Sequence, residues 1–267
     1  MSVPDFLKRT STWSLLLSGV AIILSQSPPV KNWFRGHKVT LRVSKECFMS
    51  HSLGKPMIQF TLDIENTGGR PVELTDIDCF LKKSTGDIIN LPIKAYLQST
   101  PTGQSTSATR YPITLISLRP GERWNAVVFG YEEWSEAEDE TVNSITSGMV
   151  NDIQAKRAKV KSPEQVWSEE ANEDHVKQAM EFFKAHFKLT QGQYVIYVAV
   201  KKDDKALAVA GYPLVIFAYH IQYLRSMVDY YRWGSGILPN YQTLPDLRLL
   251  LNRPLADAEA SRGYTSR

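Results

Sequence analysis

The sequence lacks the motifs by which an enzymatic activity is usually recognised. No P-loop, GxGxxG, HExxH or GxSxG pattern occurs in its 267 residues, so the common nucleotide-binding, zinc-protease and serine-hydrolase signatures are absent. Cysteine is rare as well. Cys47 and Cys79 are the only two, and no spacing rule predicts whether they form a disulfide or remain buried free thiols.

Charge and histidine content also argue against two classes of function. The net charge of +3 is too small to indicate a nucleic-acid-binding surface. The five histidines are scattered, and none pairs with another histidine, cysteine or carboxylate at a ligand spacing typical of metal sites. We therefore predict no metal, no cofactor and no catalytic residue, and we identify no small-molecule substrate. The histidines are His37, His51, His175, His186 and His220.

What the sequence does contain is one long stretch without charge, from Thr10 to Val30. A bilayer-spanning helix needs roughly 20 mostly apolar residues, and this stretch is about that long. Pro28 and Pro29 end it, because proline lacks an N–H and clashes with the preceding helical turn. We predict a single-pass anchor over 13–30, formed by Trp13, Leu15, Leu16, Leu17, Val20, Ile22, Ile23 and Leu24.

Two other interpretations of this stretch stay open. A cleaved signal peptide would place the cleavage site near Ser27, but the proline that follows should hinder cleavage. A buried core helix fits the length, but not the double proline and the charged spacer that follow. The basic residues downstream outnumber those upstream, which slightly favours a cytoplasmic main domain. We therefore predict a location at a membrane.

The remaining chain alternates in the manner of β-strands. Ile58, Phe60, Leu62 and Ile64 are apolar and alternate with polar residues, the period-two pattern of a half-buried strand. Short segments of this kind, separated by glycine and proline turns, are typical of a sandwich. The Ser/Thr-rich stretch 98–109 is expected to be a mobile loop.

Helical signals interrupt these strands at about 135–190. Ser135 and Glu138 form a capping-box pair at the start of the first helix. A second helix start is expected at Ser162, and a third at Asn172. The acidic residues near 132–140 and the basic residues near 156–161 fit the two ends of one helix. We therefore favour structural roles for both charged groups, over a cation site or docking surface for the acidic group and a phosphate or lipid-headgroup site for the basic group.

Beyond the strands, an aromatic helix is predicted over 219–233. If it is helical, Tyr219, Tyr223 and Tyr230 share a face, and Tyr, Trp and Arg are enriched at interface hot spots. The predicted partner surface consists of Tyr219, Tyr223, Arg225, Tyr230, Tyr231, Arg232 and Trp233. The domain organisation that follows is a flank 1–12, the anchor 13–30, a linker 31–37, a β-sandwich 38–218, the aromatic helix 219–233 and a flexible segment 234–267.

Three stretches resemble a group of uncharacterised bacterial proteins: LSQSPPVKNWF after the anchor, IENTGGRPVELTDI in the early strands and LRPGERW before a later strand. Members of that group have a short N-terminal membrane segment followed by an immunoglobulin-like β-sandwich with a helical insertion. The resemblance implies the same mainly β architecture here, and it implies that the predicted anchor lies in the bacterial inner membrane. Its motifs are turn signatures, and they imply no catalytic residue.

The leading hypothesis is a non-enzymatic, membrane-anchored interaction module that binds a protein partner or a second copy of itself. One alternative is an enzyme whose site is assembled from distant residues such as His51, Asp76, Asp78 and Glu132. A second alternative is a secreted or envelope adhesin-like subunit. That one predicts cleavage near Ser27 and a bridge between the two cysteines.

Overall fold

A computed structural model describes residues 36–102, 105–159, 169–234 and 246–266, together with Ser18 and Ala21. The predicted anchor residues Trp13, Leu15, Leu16, Leu17, Val20, Ile22, Ile23 and Leu24 lie outside these ranges, as does the helix start expected at Ser162. In the part of the chain that is described, no helix has both the length and the apolar character needed to cross a bilayer.

The described chain is mainly β, with helices inserted between strands and placed near its end. The strands are β1 Val39–Ser52, β2 Lys55–Asn66, β3 Val72–Leu74, β4 Asp76–Lys83, β5 Ile88–Asn90, β6 Ile93–Thr102, β7 Ser105–Pro112, β8 Ile116–Leu118, β9 Arg123–Tyr131, β10 Gly192–Lys202, β11 Lys205–Ile216 and β12 Leu247–Leu250. The helices are α1 Glu136–Arg157, α2 Glu173–His186, α3 Ala218–Ser226, a 3₁₀ helix η1 Met227–Trp233 and α4 Asp257–Thr265.

The strands form two main sheets and one small one, and all of their pairings are antiparallel. The larger sheet has the order β12-β1-β2-β9-β6-β7, and the second has the order β11-β10-β4-β5. Strands β3 and β8 pair separately. Buried side chains from both main sheets and from the inserted helices belong to one hydrophobic core. The sheets and helices are therefore parts of one folded unit.

The alternation of apolar and polar residues in the sequence correctly predicts which face of β2 is buried. On β2, Ile58, Phe60, Leu62 and Ile64 are all buried, which confirms the predicted inward face. The predicted turn at Pro120-Gly121 is also present. Gly121 has φ +80°, and the N–H of Glu122 donates to the carbonyl of Arg119. This is the geometry of a type II turn, which requires a residue that tolerates positive φ.

The helical insertion lies between β9 and β10, as predicted. Ser135 caps α1 by accepting from the Glu138 N–H, and the Glu138 carboxylate accepts from the Ser135 N–H at 2.8 Å. Both halves of the predicted capping box are therefore formed. Helix α1 buries Ile145, Met149 and Ile153, which fixes it against the core.

Two segments differ from the predictions. The stretch 98–109 was expected to be a loop, but it belongs to a hairpin in which β6 pairs with β7. The segment 234–267 was expected to be flexible throughout. Instead β12 pairs with β1, and α4 contributes the buried Ala260. Both segments therefore extend the folded domain in ways that their composition did not indicate.

Candidate interaction surface

Four aromatic side chains around α3 and η1 are well exposed to solvent. Tyr219 is 62% exposed, Phe217 49%, Tyr230 47% and Tyr223 38%. Phe217 and Tyr219 stack, with ring centroids 5.6 Å apart and planes 9° from parallel. We call Phe217, Tyr219, Tyr223 and Tyr230 the aromatic ridge. Aromatic side chains left in water on an ordered element are typical of contact surfaces.

Phe217 is the member of the ridge that the sequence analysis missed. It lies at the N-cap position of α3, just outside the predicted helix. Its N–H donates to Nδ1 of His220 at 3.2 Å, so a histidine side chain satisfies one of the free backbone donors at this helix start. An apolar aromatic residue directly before a helix was the signal available in the sequence.

Tyr231 was predicted to belong to the partner surface, and the structure corrects this. The side chain is fully buried, with 0% of its surface exposed. The chain changes from α to 3₁₀ geometry at Met227, and the tighter helix turns by about 20° more per residue. Tyr231 therefore lies further around the axis than an α-helical projection places it, and its side chain enters the core.

In the core, Tyr231 and His51 attach the aromatic ridge to β1. The Nε2–H of His51 donates to the backbone carbonyl of Leu224 at 2.7 Å, and the Tyr231 hydroxyl donates to Nδ1 at 2.9 Å. Phe183 and Phe187 contact the imidazole ring at centroid distances of 4.9 and 5.8 Å. Burial lowers the pKa of His51 to about 4, although the hydrogen bond to Leu224 opposes the shift. The imidazole is therefore neutral at physiological pH.

The remaining predicted surface residues flank the ridge. The Arg225 guanidinium lies 5.7 Å from the ring centre of Phe187 and is exposed. Arg232 pairs with Glu170 at 3.4 Å, and its guanidinium lies 5.7 Å from the ring centre of Trp233. Both arginines and Trp233 are at least partly accessible. Apart from Tyr231, the residues of the predicted surface are thus accessible, and their contact with a partner stays a prediction.

Charged groups hold the helical insertion to β2. The buried Lys55 ammonium donates to the Glu138 carboxylate at 2.9 Å and to the Glu133 carbonyl at 2.8 Å. It also lies 4.3 Å from the ring centre of Trp134. His186 approaches the other oxygen of Glu138 at 3.1 Å. Hydrogen bonds from Ser135 and from Lys55 lower the pKa of Glu138 to about 2. We call Lys55, Glu138 and His186 the ionic latch.

The four residues considered for an assembled enzyme site take part in different interactions. Both ring nitrogens of His51 are used within the core. Asp76 and Asp78 both approach the Lys201 ammonium, at 3.9 and 3.1 Å. Glu132 is exposed on the surface. His51 therefore takes part in a different set of contacts from the Lys201 ion pairs of Asp76 and Asp78, and these contacts give no support to the site that was considered.

The described residues also provide no metal centre. No group of three or more histidine, cysteine or acidic residues among them could hold an ion. Cys47 and Cys79 are free and buried. Burial raises the pKa of Cys47 to about 12 and raises that of Cys79 as well. Both are therefore protonated thiols that lack the thiolate character of reactive or metal-binding cysteines.

The chain was compared with protein-family models and with curated proteins. No protein-family model matches the chain, and no curated protein is similar to it.

Proposed function

We propose that this protein is a non-enzymatic, single-pass membrane-anchored module that binds a protein partner through the aromatic ridge. The observation that carries the proposal is the exposure of Tyr219, Tyr223 and Tyr230 on α3 and η1, which Tyr231 and His51 attach to the core. Helices that are fixed to the core favour binding, because less conformational freedom is lost when the complex forms.

The architecture supports the same proposal. We infer that the two antiparallel sheets form an immunoglobulin-like sandwich, since their buried faces contribute to one core. The uncharged stretch before residue 31 would confine this domain to the bacterial inner membrane, with the sandwich on the cytoplasmic side. Confinement to a surface raises the effective concentration of the module toward partners on that surface.

The proposal is tested by photo-crosslinking in intact membranes. The full chain carries a benzophenone amino acid in place of Tyr219 or of Tyr223, and in a control variant in place of Tyr111. Tyr111 is a 40% exposed tyrosine on β7, outside the ridge. We expect one adduct of defined mass from both ridge positions and not from Tyr111. The cross-linked protein is then identified by mass spectrometry and purified.

Binding to the purified partner is the decisive measurement. Truncation of a hot-spot tyrosine usually costs about 2 kcal/mol, a factor of about 30 in affinity, so Tyr223→Ala should weaken the complex by at least tenfold. Tyr111→Ala should leave the affinity unchanged. Adducts that are identical at all three positions, or a Tyr223→Ala variant with full affinity, would contradict the proposal. A reporter fused to the C-terminus tests the orientation separately.

A further inference from the structure

The two main sheets leave a cleft between them along one side of the domain. On the larger sheet, β12 pairs with β1 only from Glu46 to Met49. Within the described ranges, no strand pairs with this edge of β1 between Val39 and Val43. On the second sheet, β11 is the outermost strand. The cleft between these two edges has a volume of about 880 Å³.

Backbone groups of β1 that pair with no described strand point into this cleft. The N–H of Val43 donates to the Tyr212 hydroxyl on β11 at 3.0 Å, so this N–H faces away from β2. Backbone groups alternate in direction along a strand, and Val39 and Leu41 therefore face the cleft as well. Lys38 shows the opposite direction, because its carbonyl accepts from Gly68 beyond the end of β2. A strand placed in the cleft would meet the backbone donors and acceptors of Val39 and Leu41, with which no described strand pairs.

The C-terminal segment of the chain already uses this kind of pairing. After β12, the N–H of Leu251 donates to the carbonyl of Lys45 on β1. The next residues cross to the second sheet, where the N–H of Asn252 donates to Pro213 and that of Leu255 donates to Gly211. The segment thus closes one end of the cleft with strand-like hydrogen bonds. The open part of the cleft, beside Val39–Val43, lies in line with β12.

The side chains around the cleft combine an apolar floor with a basic rim. Leu41, Val43 and Leu207 are partly buried and pack against the core. The charged residues at the rim are predominantly cationic: Lys38, Arg42, Lys45 and Arg253, with Asp257 as the one carboxylate among the described lining residues. None of the four cations forms an ion pair with a residue that the structure describes.

We propose that this cleft binds an extended acidic segment of a partner protein, which adds to the larger sheet as a strand beside Val39–Val43. The segment runs antiparallel to β1, in line with β12. Its backbone pairs with Val39 and Leu41, its apolar side chains face Leu41 and Val43, and its carboxylates face Lys38 and Arg42. An unpaired strand edge is a template for such addition. The site is separate from the aromatic ridge and does not depend on the role proposed for it.

The test uses the purified full chain in detergent and a labelled peptide of eight residues in which glutamate and valine alternate. Fluorescence anisotropy should show saturable binding that weakens as salt rises, because exposed charges are screened. A peptide of the same composition with four glutamates followed by four valines should bind at least tenfold more weakly, since it cannot present one apolar and one acidic face. Equal binding of the two peptides, or no saturable binding, overturns the proposal.

Two variants separate the site from general electrostatic attraction. Reversal of both Lys38 and Arg42 to glutamate should weaken binding by at least tenfold, because like charges would then face each other. The matched control reverses Lys177 and Lys184, which are exposed on α2, and changes the net charge equally. The affinity of that control variant should stay within about twofold of the unmodified protein, because charges far from the cleft are largely screened by salt. Equal losses in both variants would overturn the proposal.

Amide hydrogen exchange reports strand pairing directly. When the peptide is bound, exchange at Leu41 should slow by at least tenfold, because its N–H gains an acceptor. Exchange at Arg42 should stay unchanged, since its N–H already faces β2. Peptide binding without protection of Leu41 would show that the segment does not pair with β1, and would overturn the proposal.

Discussion

The aromatic ridge and the helical insertion are attached to the same sheet by different kinds of interaction. The ridge depends on neutral, buried hydrogen bonds between His51, Tyr231 and Leu224. The insertion depends on the ionic latch, where Glu138 is 28% exposed and Lys55 is 9% exposed at the side chain. A neutral network is sensitive to protonation and to lost volume, whereas a partly solvated ion pair is weak and screened by salt. The two attachments should therefore fail under different conditions.

The largest effect is expected from Tyr231→Ala. The change leaves a cavity in the core and removes the donor to His51, and such truncations cost about 3–5 kcal/mol of unfolding free energy. Denaturant unfolding measures the loss. Tyr230→Ala is the matched control, since the neighbouring side chain is exposed and should change stability by less than about 0.5 kcal/mol. Similar losses in both variants would contradict the burial of Tyr231.

Acid should weaken the attachment of the ridge next most strongly. The pKa of His51 is about 4 in the folded protein and about 6.5 in an unfolded chain. The unfolded state therefore binds more protons between these values. The contribution of neutral His51 to the unfolding free energy is therefore complete above pH 6.5. About 3 kcal/mol of it is lost as the pH falls to 4. Unfolding experiments across this range should show the loss, and His51→Gln should remove most of that pH dependence.

The Glu138 carboxylate of the ionic latch should titrate in a lower pH window. Because the pKa of Glu138 is held at about 2, its contribution persists down to about pH 4.5 and is lost only below that value. Glu138→Ala should cost about 1–2 kcal/mol, since it removes a helix-capping carboxylate and the partner of a buried lysine. Glu140→Ala, at an exposed position in the same helix, should cost less than about 0.5 kcal/mol. High salt should shrink the difference between the variants.

The smallest effect on stability is expected at Tyr223, where the proposed effect on partner binding is large. Tyr223→Ala removes a side chain that is 38% exposed, so the unfolding free energy should change by less than about 1 kcal/mol. The same variant should still weaken partner binding. A large loss of stability would show that Tyr223 holds α3 in place, and it would remove the main reason for placing Tyr223 on a contact surface.

Features set by short-range patterns could be predicted from the sequence. The alternation on β2, the capping box at Ser135 and the turn at Gly121 each depend on a few neighbouring residues. The position of the aromatic helix was also predicted, because its apolar and aromatic residues recur at helical spacing. In each case the local preference and the tertiary fold agree.

Other features depend on contacts between distant segments and could not be predicted. Strand β12 is four residues long and gains its structure from β1. Helix α4 buries only Ala260 within itself, so its composition resembles that of a solvated tail. The burial of Tyr231 follows from a change to 3₁₀ geometry that no residue between Met227 and Trp233 signals. The cleft beside β1 is likewise a property of two sheets and not of one segment.

The pairing of β12 with β1 has a consequence for how the protein is made. Leu250 lies opposite Glu46, about 200 residues earlier in the chain, and contacts this distant form slowly because a long loop must close first. A ribosome must therefore synthesise about 200 residues after Glu46 before β12 can join the larger sheet. Until then the whole outer edge of β1 is open to other chains. A chain that stops before Leu247 would lack β12 and leave that edge permanently open, and aggregation of the nascent chain is the expected result.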